Sequence, residues 1–146
     1  MKVVIGRLEK HLAEVPGRMK SFAEPELMQR PAPGKWSRKE IMGHLVDSAI
    51  YNILRFTQAQ YKPSPYVVEG YEQDNLVAVN DYQNLPLEHL LATWELLNRH
   101  IVFILSKLSK EKQQIPIVRK GEPRTLGWLA EDYLNHMEHH LKQIFK

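Results

Sequence analysis

A chain of 146 residues, 43% hydrophobic and 25% charged, has enough apolar content to bury a core and too little length for a second full domain. It contains no cysteine, which excludes disulfides, thiolate metal sites and a cysteine nucleophile; metal chemistry would have to use histidine, carboxylate or water. The formal charge is +3, but the basic residues are dispersed among acids, as in Lys107 to Lys112 around Glu111, so no nucleic-acid partner is expected.

The N-terminal stretch turns charged by Arg7, too early for a secretory signal, and no later run approaches 18 apolar residues; a cytoplasmic protein that does not engage a membrane is expected. Val4, Leu8, Leu12, Val15, Met19 and Phe22 recur at three and four residues, which predicts a helix over about 3–22, bent or split at Pro16. Pro25 and the run Pro31-Ala-Pro-Gly34 then break the pattern. A second helix opens at Ser37-Arg-Lys-Glu40, a capping-box pattern, and runs to about Tyr61, where Pro63 and Pro65 stop it. The connection from Lys62 to Pro86 is too long for a tight bundle turn and is expected to cross one end of the fold, with a short helix over about 73–82.

Leu90, Leu91, Trp94, Leu97, Ile101, Ile104, Leu105 and Leu108 form one stripe of a third helix, about 87–108. Thr125 is the expected cap of a fourth helix, whose inward face carries Leu126, Leu129, Tyr133, His136, Met137, His140 and Ile144. No strand is expected. The predicted fold is all-α, a single domain over residues 1–146 forming an antiparallel four-helix bundle with a long crossover connection between helices two and three. Apolar faces on short bundles are compatible with a homodimer, although the sequence marks no interface.

Three of the seven histidines fall on inward faces. His136 and His140 are four apart, a spacing that advances about 6 Å along a helix and rotates about 40°, so both project to one side. Burying two imidazoles one turn apart is costly unless both find partners, and a shared cation satisfies both. A third ligand must come from elsewhere in the fold, and His44 is the best placed candidate. Alone, His44 reads as a hydrogen-bonded core histidine. The opposing reading of the pair is a solvated C-terminal helix, which fits His139, about 100° round from His140; His11, His89 and His100 are assigned to the surface.

Beside His44, the polar row Ser48, Tyr51, Asn52 and Arg55 follows helical spacing, as either the wall of a substrate pocket or the boundary of an amphipathic helix. Asp47 is a candidate acceptor for the second ring N–H of a ligating histidine. Gln143 lies one turn beyond His140, and Glu69, Glu72, Asp74 and Asp81 lie on the long connection; none is marked as a catalytic base.

The run Pro31-Ala-Pro-Gly-Lys-Trp-Ser-Arg-Lys-Glu-Ile-Met-Gly-His-Leu-Val-Asp-Ser48, the segment Tyr71-Glu-Gln-Asp74 and the closing His136-x-x-x-His140-x-x-Gln-Ile144 together resemble the DinB superfamily of four-helix-bundle metalloenzymes. The resemblance spans nearly the whole chain. It implies a divalent ion, nickel or zinc, held by three histidines that match His44, His136 and His140. It also implies reactions that range from S-transfer with low-molecular-weight thiols, through mycothiol-dependent maleylpyruvate isomerisation, to hydrolysis. Three functions follow for this chain. The first is a metal-dependent transferase joining a low-molecular-weight thiol, which must arrive as cosubstrate, to a small electrophile; the second is a hydrolase using metal-bound water. The third is a non-catalytic metal-binding module of a stress response.

Overall fold

Helix α1 (Lys2–Lys20) buries Val4, Leu8, Leu12, Val15 and Met19 as one stripe, and it continues unbroken through Pro16. The proline removes one backbone donor, but Met19, fully buried beyond it, anchors the final turn in the core. The expected split therefore does not occur. In the proline-rich segment that follows, α2 (Glu24–Met28) forms a single turn with Pro25 in its first turn, where a missing N–H costs nothing, and buries Leu27. This computed structural model describes residues 1–146.

Helix α3 (Arg38–Gln58) begins as its sequence demands: Ser37 Oγ accepts from the Glu40 amide at 3.1 Å and Glu40 Oε1 accepts from the Ser37 amide at 3.0 Å. The long connection then contains strand β1 (Tyr66–Val68), helix α4 (Gln73–Val79) and a 3-10 turn over Tyr82–Asn84. Helix α5 (Leu87–Ser106) is followed by the short α6 (Lys110–Gln113), strands β2 (Pro116–Arg119) and β3 (Glu122–Thr125), and helix α7 (Leu126–Ile144). Thr125 caps α7 by accepting from the Trp128 amide at 3.1 Å.

The three strands correct the expectation that no strand would form. They make one sheet in the order β1-β2-β3, with β1 parallel and β3 antiparallel to β2. Strands of three or four residues are too short to show alternation, and Pro116 and Pro123 disguise two of them. Their one local signal is the Lys120-Gly121 turn, where both residues have positive φ, 51° and 77°, the conformation of a tight two-residue hairpin.

The four long helices form the bundle, with α3 packed between α5 and α7, and α1 likewise. Helices α1 and α3, the first two of the four long helices, thus sit at opposite corners. The buried apolar residues form one contiguous cluster contributed by all four. Within it Asn98 is wholly buried, accepting from the Tyr133 hydroxyl at 2.6 Å and donating to the Trp94 carbonyl at 2.9 Å. No helix is long and apolar enough to cross a membrane.

Candidate metal centre

Because α3 and α7 pack against each other, His44 meets the His136 and His140 pair across the helix interface. The three ring nitrogens that face inward lie within 4.8 Å of one another. His44 Nε2 is 3.1 Å from His136 Nε2, and the ring centroids are separated by 5.0 Å (His44–His136), 4.7 Å (His44–His140) and 4.7 Å (His136–His140). His44 is wholly buried, and the two α7 histidines are half-buried.

Burial disfavours the charged form of each ring, and neighbouring imidazoles add repulsion. His44 is pushed down to about 3, by burial first and then by His136 and His140. His136 is pushed down to about 4, again chiefly by burial, and His140 is lowered for the same reason. All three are neutral at pH 7, which is the ligating form of imidazole.

An ordinary hydrogen-bonded histidine cluster accounts for only part of this geometry. A proton shared between His44 and His136 would satisfy two rings and leave the third lone pair directed into the same space. Gln143 Oε1, which can only accept, lies 2.9 Å from His140 Nδ1; the proton is therefore on Nδ1, and Nε2 keeps its lone pair. Three neutral imidazoles converging in this way are a donor set that a divalent cation fits. His44 Nδ1 is buried and has no hydrogen-bond partner. Asp47, a candidate for that partnership, instead accepts from the Tyr82 hydroxyl at 2.6 Å. Burial raises the pKa of Asp47, and its Oδ2 has no partner.

The cluster lies between two cavities. One, of about 790 Å³, is lined by His140, Gln143, Trp36 and Asp74; the other, of about 600 Å³, is lined by His136, Ser48, Asn52 and Arg55. Gln73 borders both. Tyr51 lies in a neighbouring depression of about 440 Å³, which it shares with Arg55, and stacks on Tyr71 at 4.5 Å between centroids. The polar row beside His44 is therefore divided, with Ser48 and Asn52 on one side, Tyr51 on the other and Arg55 reaching both. Two aromatic rings flank the buried histidine, Trp36 at 4.9 Å and Tyr71 at 6.3 Å.

Trp36, Tyr71, Gln73, Arg119 and Asp132 reach these cavities without any periodic signal in the sequence, since most sit on loops or short strands. Of the histidines assigned to the surface, His139, His89 and His100 are exposed. His11 is half-buried, with Nε2 2.9 Å from Glu138 Oε1, beside an Arg7–Glu138 ion pair at 2.5 Å that ties α1 to α7.

The sequence profile of the DinB superfamily matches residues 7–144. OB0413 of Oceanobacillus iheyensis, provisionally named a metal-dependent hydrolase, is 26% identical over 140 residues, which cover 94% of this chain and 79% of the relative. Among solved structures, YfiT from Bacillus subtilis is also provisionally described as a metal-dependent hydrolase, with an unusual four-helix bundle topology. It matches with a TM-score of 0.88 at 20% identity, covering 99% of this chain and 83% of YfiT. The mycothiol-dependent maleylpyruvate isomerase matches with a TM-score of 0.70 at 12% identity, covering 96% of this chain but 59% of the isomerase. At such identities the two structures attest the fold alone.

Proposed function

The chain belongs to the DinB superfamily, and from that premise we propose that it is a divalent-metal enzyme acting on a small molecule, with His44, His136 and His140 as the metal ligands. The observation that carries this reading is the convergence of three neutral ring nitrogens, within 4.8 Å, between two solvent-reaching cavities. A divalent ion such as zinc or nickel, bound by three uncharged ligands, supplies a Lewis acid that lowers the pKa of a thiol or water bound to it. The protein supplies orientation and access. Gln143 fixes the tautomer of His140, α3 and α7 hold the rings at fixed spacing, and Trp36 and Tyr71 exclude water from the buried side of His44. Ser48, Asn52 and Arg55 are the residues proposed to orient substrate beside His136, with Tyr51 acting through its stack on Tyr71.

The first reaction proposed is transfer of a low-molecular-weight thiol to a small electrophile. The acid in the His136 cavity, Asp132, is paired with Arg119 at 3.3 Å, so no free carboxylate stands there as a base for water. A thiol, with an ordinary pKa near 8.5, needs only modest acidification to ionise. Hydrolysis is the second reading, favoured by the provisional assignment of OB0413 and by Asp74, which lines the cavity beside His140.

Elemental analysis of untagged protein, then thiol titration of the cobalt-substituted form, tests both. One ion per chain is expected, lost in His44→Ala, His136→Ala and His140→Ala but retained in His139→Ala. A cobalt spectrum that responds to thiols supports transfer, and one that is inert to them while responding to alkaline pH supports hydrolysis. Failure to take up metal after reconstitution would overturn the metal centre.

A further inference from the structure

Arg55 carries a charge that no ion pair in the fold neutralises. The residue is 7% exposed, yet it takes part in none of the ion pairs of the molecule. Its guanidinium donates to the Glu69 carbonyl and, at 3.5 Å, to Asn52 Oδ1, both neutral acceptors, and lies 5.4 Å from the Tyr71 ring centroid. Burying an arginine is costly unless an anion answers it. Burial and then the proximity of Arg119 lower the pKa of Arg55, against smaller opposing effects of Tyr71, Tyr66 and Asp132.

The cavity beside His136 gathers this charge with two more. Arg55, Arg119 and Lys120 line it against a single carboxylate, Asp132, which is already engaged by Arg119 at 3.3 Å. The cations come from two elements: Arg55 from α3, and Arg119 with Lys120 from the tip of the β2–β3 hairpin, where Lys120 holds the strained φ of 51°. Arg119 is held there by Asp132, and Lys120 stays exposed at the rim of the same cavity, so the excess of positive charge faces the cavity's opening. An oxyanion would accept from several donors at once, and arginine's planar fork suits carboxylate and phosphate oxygens. Cations focused in a concave, low-dielectric site also raise the local concentration of an anionic ligand.

We propose that the cavity walled by Arg55, Arg119 and Lys120 is an oxyanion subsite, which holds the carboxylate or phosphate of a small anionic substrate beside the three-histidine cluster. The substrate role rests on the function proposed above, whereas the affinity for anions follows from this cavity alone. It adds a substrate class, an acid bearing at least one oxyanion, and gives Arg119 and Lys120 a part in binding.

The test is calorimetric titration of the full chain with inorganic phosphate, succinate and neutral succinamide at fixed ionic strength, on zinc-loaded and metal-free protein, with zinc content measured on every variant. The wild type is expected to bind phosphate or succinate, whichever matches the subsite, and to ignore succinamide. Arg55→Gln and the less buried Arg119→Gln should each weaken binding at least tenfold with zinc content unchanged, and Arg55→Lys should restore part of the loss. Asp132→Asn should tighten binding severalfold, the reverse of what removal of a merely structural side chain does. Anion affinity unchanged in Arg119→Gln and Asp132→Asn would overturn the subsite, as would equal responses to succinate and succinamide. Normal zinc uptake without anion binding would sink the subsite alone, whereas anion binding without zinc uptake would sink the metal centre and leave the subsite standing.

Discussion

The ring of His140 is oriented by one carboxamide, that of Gln143, at 2.9 Å. Partners of this kind fix the tautomer and the direction of the ligating lone pair, and their loss costs about 10–100-fold in metal affinity. Gln143→Leu should therefore weaken zinc by about that factor in competition with a chromophoric chelator, with the fold intact because the residue is exposed. A second prediction concerns pH. In the metal-free chain His44 and His136 have folded pKa values of about 3 and about 4, below the usual 6.5, so the unfolded chain takes up protons first as pH falls. The associated stability is fully present above about pH 6.5 and is lost progressively as pH drops toward these values, by at most about 1.4 kcal/mol per pH unit for each histidine. Thermal melts in chelator should show this acid slope, and His44→Ala should make it shallower; an unchanged slope would mean that His44 is not held neutral by burial.

Among the elements, α3 carries the heaviest constraints. Ser37, wholly buried, both caps the helix and donates to Gln83 Oε1 at 2.5 Å, so Ser37→Ala should cost about 1 kcal/mol or somewhat more, measured by urea unfolding. Gly43, one residue before His44, faces Tyr82: a Cβ there would lie 2.1 Å from its Cδ2 and 2.7 Å from its Cβ, near the base of the side chain where it cannot swing clear. Gly43→Ala should destabilise by about 1–3 kcal/mol and disturb the Tyr82–Asp47 hydrogen bond, with a wild-type midpoint as the contrary result. The start of this helix and that of α7 were legible in the sequence because Ser37, Glu40 and Thr125 act within a few residues of themselves. The pairing of His136 with His140 was legible for the same reason, as a property of one helix turn. The sheet, the single turn of α2 and the passage of α1 through Pro16 were not: the strands are too short to alternate and β1 joins from far away in sequence, while the two helices are decided by packing against distant residues. Nor were the buried Asn98–Tyr133 hydrogen bond, made across 35 positions, and the meeting of Arg55, Arg119 and Lys120 around one cavity.

Across the whole molecule, the proposed ligands tie α3 to α7, while the Arg7 and His11 contacts to Glu138 tie α7 to α1 from its other side. An ion that binds only the folded chain at about 100 times its dissociation constant adds about 2.7 kcal/mol of stability, so zinc should raise the melting temperature and a chelator should reverse the rise. A melting temperature indifferent to both would argue that the histidines are not bridged. The His44–His136 contact spans 92 positions of the chain, and His140 lies four further on. During synthesis, α3 leaves the ribosome with one lone imidazole and must wait for α5, the sheet and most of α7 to follow before the other two arrive. On the proposed ligand set, metal capture would therefore wait until α7 has been made, and a chain released before residue 136 would hold His44 with neither of its partners.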